Sequence, residues 1–354
     1  MPGSELCLIQ GVCNYHKPVK CVRDALTRIL LTGGSGFIGS HLSGHLKSRG
    51  YTVRCLVHKT GNMNRRLSFD EICYGDVTQK ETLSKAVRGV NIVVHLAAIR
   101  GEKPVPMQSY WDVNVSGTAN LVEACRVEGV RRFIYCSTVG VMGWIKNPPA
   151  DESRPLNPTG AYHVTKARAE ELVREYTVRS SIEGTIVRPV ITYGAGDIDG
   201  MVFKLTRLLR RRRFIWIGRA ANRVHLVAIE NLIQGFGAVI GNKGSVGETF
   251  IIADPTPIPM NHLVNVICDT LKVNPPMFRL PTRLAKLLAV TTGKLGSASA
   301  DAEESKLTPM RVDLLTRDRC YDISKARALG YNPHIQTTSG LRTAVEWMKD
   351  KQLV

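Results

Sequence analysis

Tyr162 and Lys166 stand four residues apart in the run Tyr162-His163-Val164-Thr165-Lys166. On a helix that spacing puts a phenol and an ammonium on one face. A free tyrosine ionises near pH ~10 and is a poor base at neutral pH. A neighbouring cation stabilises the phenolate and lowers that value, so the tyrosine can pass a proton to or from a substrate hydroxyl. The spacing alone also fits an ordinary solvated helix face. Its meaning depends on the elements that position it.

Those elements begin at residue 28. Residues 28–32 read as a short buried strand, and the turn Gly33-Gly34-Ser35-Gly36-Phe37-Ile38-Gly39 follows at once. Residues 40–50 read as a helix closed by glycine, and 51–57 as the next strand. Strand, glycine turn, helix, strand is the context a dinucleotide fingerprint requires. The glycines permit a tight turn and let backbone N–H groups approach a pyrophosphate, to which the helix N-terminus adds its dipole. The alternation continues. Strands are expected at 71–74, 91–95, 131–136 and 183–188, and helices at 79–88, 107–128 and 159–180. The fold class is therefore α/β: a Rossmann-type doubly wound parallel sheet over residues 28–190. A smaller, partly interleaved substrate region occupies 191–354, with a helix at about 229–241 returning to the main domain. Ligands in such sheets lie beyond the carboxyl ends of the strands. The loops after Thr32, Tyr74, His95, Cys136 and Arg188 should converge on one crevice. Residues 1–27 read as a loosely ordered extension. Its Cys7, Cys13, His16 and Cys21 match no zinc-ligand spacing, and no metal site is expected in the chain.

In this order the motifs resemble the extended short-chain dehydrogenase/reductase superfamily, also described as NAD-dependent epimerases/dehydratases, over about residues 28–350. The residues that carry the resemblance are the turn at 33–39, Gly75-Asp76-Val77, His95-Leu96-Ala97-Ala98, Asn114, and Cys136-Ser137-Thr138 running to Gly143. Tyr162, Lys166, Arg188-Pro189 with Tyr193-Gly194, and the segment from Tyr321 to Tyr331 complete the set. The resemblance implies that Tyr162 is the proton-transfer acid/base. Lys166 would lower its pKa and bind the nicotinamide ribose. Thr138, rather than Ser137, would hydrogen-bond the reacting oxygen. It also implies that Gly33, Gly36, Phe37, Ile38, Gly39, Asp76, Val77, Leu96, Ala97, Ala98, Asn114, Pro189 and Ile191 line the cofactor, with Asp76 at the adenine. Ser137 and Tyr193 would lie on the substrate side. Two long helices, 107–128 and 159–180, would form a homodimer interface by analogy with the superfamily.

The cofactor is read as NADP or NAD. An acidic residue about 20 positions after the glycines would hold the ribose hydroxyls of NAD. Here that place is His58, followed by Lys59, and no carboxylate comes until Asp70. His58, Lys59 and Arg54 would suit a 2′-phosphate, which favours NADP.

The substrate is a small molecule. Dehydratase members follow the catalytic Thr with Asp-Glu, whereas Thr138 is followed by Val139-Gly140. Epimerases of sugars carry an Asn in the turn after the sixth strand, and this chain has none there. Residues 279–290 and 224–232 resemble segments of 3β-hydroxysteroid, sterol and dihydroflavonol-type members. The expected reaction is hydride transfer between nicotinamide and a bulky secondary alcohol or ketone. A nucleotide-sugar epimerase or reductase is the alternative, in which Arg219 or Arg223 would grip the diphosphate. A non-catalytic cofactor-binding protein is a second alternative, against which the complete Thr138, Tyr162 and Lys166 set argues.

The formal net charge is +18, which favours anionic partners. Eight Lys/Arg and no Asp/Glu lie between 201 and 229. With the amphipathic stretch at 284–295, Arg210, Arg211, Arg212 and Arg213 could meet an anionic membrane. Without an aromatic stacking platform, specific nucleic-acid binding is not expected. The nine cysteines stand singly, no secretion signal is read before them, and no apolar stretch of ~18 residues lacks charges. A reduced, cytoplasmic setting is the expectation.

Overall fold

The structure is a computed structural model that describes residues 27–58, 68–101, 105–292 and 309–354. The N-terminal cysteines and His16, Lys59, and residues 293–295 of the amphipathic stretch lie outside the described residues.

Short apolar runs with β-branched residues form the strands β1 (Arg28–Thr32), β2 (Thr52–Val57), β3 (Glu71–Tyr74), β4 (Ile92–His95), β5 (Arg132–Cys136) and β6 (Glu183–Pro189). Two further strands, β7 (Ile191–Tyr193) and β10 (Leu226–Ala228), pair with each other in parallel. Between them lie β8 (Trp216–Ile217) and β9 (Arg223–Val224). The chain then returns to the main sheet as β11 (Thr249–Ile252). The seven-stranded sheet has the order β11-β6-β5-β4-β1-β2-β3, with every pairing parallel. This is a doubly wound sheet whose order reverses between β1 and β4, where such folds place their ligands. β11 adds a seventh strand to the six read from the sequence.

Alternation along the strands assigns the two faces. Ile29, Leu31, Val94, Ile134 and Val187 pack under α1 (Phe37–Ser48) and α7 (Ile229–Gly241). Leu30, Val93, Phe133, Tyr135 and Ile186 pack under α2 (Lys80–Val87), α4 (Gly117–Val127) and α5 (Gly160–Arg179). Thus α7 packs against the sheet. A second core lies beside it, built from α6 (Met201–Arg210), α8 (Met260–Leu271) and the helix Thr337–Asp350. Tyr193, Asp254, Asn231 and Thr337 tie it to the sheet. The Asp254 carboxylate accepts from Tyr193 Oη at 3.0 Å, Thr337 Oγ1 at 2.9 Å, Asn231 Nδ2 at 2.7 Å and the Ala228 N–H at 2.8 Å. Among the described residues no helix is long and apolar enough to cross a membrane.

The helix expected at 107–128 is continuous in direction but not in type. α3 (Met107–Tyr110) opens into a π-helical stretch, Trp111–Ser116, before α4. Such widened turns collect at functional sites, and Asn114 sits inside this one.

A buried ion pair fixes α5 against β6. Arg188 donates Nε and Nη2 to the two carboxylate oxygens of Glu170 at 3.0 and 2.7 Å, and both residues are wholly buried. The fork geometry is bidentate. Arg174 adds a third contact at 2.8 Å. Removing one partner strands a charge in the interior. Glu170→Gln should therefore lower the unfolding free energy by about 3–5 kcal/mol in urea melts; a loss below about 1 kcal/mol would mean the pair does not anchor α5.

Candidate active site

The glycine turn is built for close approach. Gly33 has φ +67°, and a Cβ there would lie 2.8 Å from the Ala97 nitrogen. A Cβ at Gly39 would run into the Gly33 carbonyl oxygen. The turn therefore nests against the loop after β4 and against its own first helical turn. Gly36, the N-cap of α1, provides no side-chain cap, and no acidic residue stands in the first turn. A helix end with unclaimed N–H groups and a positive dipole suits a pyrophosphate. The turn from Gly33 to Gly39 thus leaves the close approach and the helix end that such a group needs.

The loop after β4 is fixed from both sides. Leu96 N–H donates to the Thr32 carbonyl at 3.2 Å and Ala97 N–H to Thr32 Oγ1 at 3.2 Å. Asn114 holds the other side, accepting from Ile99 N–H at 2.8 Å and donating Nδ2 to the Ile99 carbonyl at 3.0 Å. The same Nδ2 donates to Thr165 Oγ1 at 3.1 Å, one residue before Lys166. One amide therefore clamps the β4 loop to α5.

Beneath this clamp lies His95, fully buried. Thr118 Oγ1 gives its proton to the Asn114 carbonyl at 2.7 Å, so it can only accept from His95 Nε2 at 3.0 Å. Nδ1 must then accept from Thr32 Oγ1 at 2.6 Å. The network assigns the Nε2–H tautomer of a neutral ring. Burial, aided by the Lys166 charge, pulls its pKa from 6.5 down to about 3.

Lys166 is buried on α5, with Nζ 4.1 Å from the centroid of the Tyr135 ring. Burial pulls its ammonium down to about 8, against the opposing pull of Cys136 and Glu170. Tyr162 is half-buried one turn earlier. Here the expectation from the sequence is corrected. Burial, with a smaller push from Cys136, holds the phenol above the ordinary tyrosine range, and the cation opposing this is Arg100. Desolvation of the phenolate outweighs the Arg100 guanidinium.

Thr138 caps the 3₁₀ turn Val139–Met142 at the end of β5, accepting from Gly140 N–H at 3.2 Å. Its own proton is left to donate. Ser137 is buried, and its hydroxyl has no hydrogen-bond partner among the described residues. Gly140 packs directly against the His163 ring, which seats the start of α5 on this turn. The structure therefore brings together the glycine turn, the β4 loop, Asn114, the Ser137-Thr138 turn, Tyr162 and Lys166. Val77 is buried against Gly117 at the start of α4, Pro189 ends β6, and half-buried Ile191 opens β7.

Other expected residues are engaged elsewhere. Tyr193 is fully buried with its hydroxyl on Asp254, so it joins the two cores instead of facing a substrate. Arg54 is paired with Glu71 at 2.6 Å and donates to the Ala86 and Arg88 carbonyls, so it serves β2 and β3 and not a 2′-phosphate. His58 Nε2 lies 3.1 Å from Asp76, joining the residues expected at the ribose and at the adenine. Arg223 lies 3.6 Å from Asp318, and Arg219 is exposed. Arg100 and Asp197 were not read from the sequence. Arg100 reaches toward buried Asp197 at 3.7 Å and Asp199 at 3.7 Å. The signal for Arg188 and Glu170 was available: an arginine in an apolar strand needs a buried partner.

A parallel sheet with an uncapped glycine turn, a buried lysine and a tyrosine on the same helix face defines a dinucleotide-binding enzyme fold. Residues 29–253 match the NAD-dependent epimerase/dehydratase family, and the chain belongs to it. Among curated proteins, the N-acetyl-α-D-glucosaminyl-diphospho-ditrans,octacis-undecaprenol 4-epimerase of Escherichia coli O157:H7 is 28% identical over 331 residues, spanning 90% of this chain and 94% of that one. A 3β-hydroxysteroid dehydrogenase/Δ5→4-isomerase of Mycobacterium tuberculosis is 28% identical over 333 residues, 89% of each chain. The structure of UDP-glucuronic acid 4-epimerase from Bacillus cereus in complex with NAD shares the fold, with a TM-score of 0.73 at 24% identity over 92% of this chain and 99% of that one. The chain is thus an NAD-dependent enzyme of the oxidoreductase, epimerase or dehydratase type.

The buried neutral histidine makes the site acid-sensitive. Its folded pKa of about 3 lies below the ordinary 6.5, so the stability it secures is present above pH 6.5 and is lost as pH falls toward 3. At about pH 5 the loss is about 2 kcal/mol relative to neutral pH. Urea melts of His95→Gln should show a pH dependence smaller by about that amount, whatever its stability at neutral pH. The same slope in both proteins would mean the ring is not held neutral.

Proposed function

We propose that this protein is an NAD(P)-dependent dehydrogenase/reductase that moves a hydride between nicotinamide and a bulky, largely apolar secondary alcohol or ketone. The observation that carries the reading is the joint placement of Tyr162, Lys166 and Thr138 against the glycine turn through the Asn114 clamp. A bound nicotinamide would supply the hydride acceptor or donor. The chain's own residues handle the proton and the oxygen. Thr138 donates to the reacting oxygen; in oxidation the Tyr162 phenolate takes the hydroxyl proton, and in reduction the phenol gives one to the forming alkoxide. Lys166, on the next turn of α5, places a buried positive charge beside the proton path. Arg100 opposes the effect of burial on the phenol and so eases its ionisation.

Two observations support an apolar substrate over a nucleotide sugar. Arg223, expected at a diphosphate, is taken by Asp318. Relatives of 28% and 27% identity are a hydroxysteroid dehydrogenase and a ketoreductase acting on a farnesylated dihydroquinoline oxide. Epimerisation of a sugar-bearing substrate is the second reading, favoured by the undecaprenol-linked epimerase that aligns over 90% of this chain. For the dinucleotide we infer a preference for NADP, because β2 is followed by His58 and not by a carboxylate.

Screening hydroxysteroids, long-chain ketones and nucleotide sugars with both cofactors, by nicotinamide absorbance, tests the reading. Net cofactor reduction or oxidation is expected with an apolar compound, and Tyr162→Phe should lower kcat by at least about 10²-fold. Conversion of a sugar with no net absorbance change would establish the epimerase reading. Binding of cofactor with no turnover of any compound would sink both. Fluorescence titration should show NADPH binding more tightly than NADH; NADH tighter by about tenfold, ~1.4 kcal/mol, would reverse the cofactor preference.

A further inference from the structure

The edge of the second core joins two stretches that contain no carboxylate. β12 (Arg279–Leu280) pairs in parallel with β8, with Trp216 N–H donating to the Phe278 carbonyl at 3.0 Å. This pairing places the loop that leaves α6 beside the segment that enters α9 (Thr282–Thr292). The first stretch carries exposed Arg210, Arg211, Arg212, Arg213 and Ile215. The second carries Met277, Phe278, Arg279, Arg283 and Lys286. Residues 201–229 hold eight Lys/Arg, residues 272–292 hold four more, and neither has an Asp or Glu.

The apolar residues here are turned outward. Met277 is 88% exposed and Phe278 78%, and Ile215, Leu284 and Val290 are exposed as well. α9 reverses the usual arrangement of a surface helix. Its buried positions are Ala285 and Ala289, packed with Ile217 and Val312, while Leu284 and Val290 face away. Single exposed apolar residues are ordinary, but large ones gathered within a rim of cations mark an interaction surface.

We propose that this edge docks on an anionic phospholipid bilayer. Arg210, Arg211, Arg212, Arg213 and Arg283 meet headgroup phosphates, while Met277, Phe278, Ile215 and Leu284 enter the boundary between headgroups and acyl chains. Arg279, 5.6 Å from the Trp216 ring centroid, and Lys286, 3.6 Å from Asp313, stay on the protein side of the patch. Charge decides the occupant. A second copy of the chain would set this cationic rim against a like rim. A nucleic acid would satisfy the arginines but leave Met277, Ile215, Leu284 and Val290 without a use. The proposal rests on this surface and not on the reading of Tyr162. An enzyme that works on water-soluble substrates could still bind vesicles, and one that binds no vesicle could still oxidise a lipophilic alcohol.

Co-sedimentation of the full chain with vesicles of equal parts phosphatidylglycerol and phosphatidylcholine, against pure phosphatidylcholine, is the test. Binding to the anionic vesicles should weaken with salt. It should fall at least about tenfold both in Met277→Ser/Phe278→Ser and in Arg211→Glu/Arg213→Glu. Cofactor binding by both variants confirms that they are folded. The proposal is overturned if the wild type does not sediment with anionic vesicles, or if both variants sediment as it does. It is also overturned if the apolar variant instead turns a dimer into a monomer, or if a short duplex DNA binds at the same salt with both variants losing DNA binding alone.

Discussion

The candidate site depends on one side chain amide. Asn114 reads both backbone groups of Ile99 and also reaches Thr165, so a single residue sets the distance between the β4 loop and α5. Its carbonyl receives the Thr118 hydroxyl, which fixes the His95 tautomer and, through Thr32, the far side of the same loop. Each hydrogen bond in the run from Ala97 through Thr32, His95 and Thr118 to Asn114 has a defined direction of donation. Buried networks of that kind rigidify when complete and are costly when broken. The widened helical turn at Trp111–Ser116 is where this residue is presented.

Around that clamp the chain buries charge and controls it by pairing. Glu170 lies one turn beyond Lys166, locked by Arg188, and its negative field is one reason the Lys166 ammonium is pulled down no further than about 8. Arg188 stands one residue before Pro189, the end of β6, so the ion pair also sets where the chain leaves the sheet for the second core. Asp254 performs the corresponding task there, gathering Tyr193, Asn231 and Thr337 from three separate segments. α5 is thus held between a polar clamp at its start and an ion pair in its middle.

Most of the main sheet was legible because its strands are short apolar runs bounded by glycine or charged residues, and parallel topology follows from their alternation with helices. β11 was missed because Thr249–Ile252 follows a stretch read as the substrate region, and its return to the edge of the main sheet is set by pairing with the distant β6, which local sequence does not reveal. The π-helical turn was hidden because it keeps the direction and apolar spacing of the helix that contains it. Side-chain assignments failed where a distant partner decides the outcome. Tyr193 lies next to the expected crevice in sequence, but Asp254, 61 residues on, captures its hydroxyl. Arg54 suits a phosphate by position, but Glu71 and two carbonyls hold it. The tyrosine–lysine spacing was readable, whereas the direction of the tyrosine's pKa depended on burial that only the folded chain creates.

Following a deuterium label tests the central claim most directly. A substrate that turns over is prepared with deuterium on its carbinol carbon, and the dinucleotide released into solution is weighed by mass spectrometry. A dehydrogenase in which Tyr162 takes the hydroxyl proton should deliver one deuterium to the released, reduced cofactor and leave a ketone. Deuterium found instead in an inverted alcohol, with the cofactor unlabelled, would contradict this account.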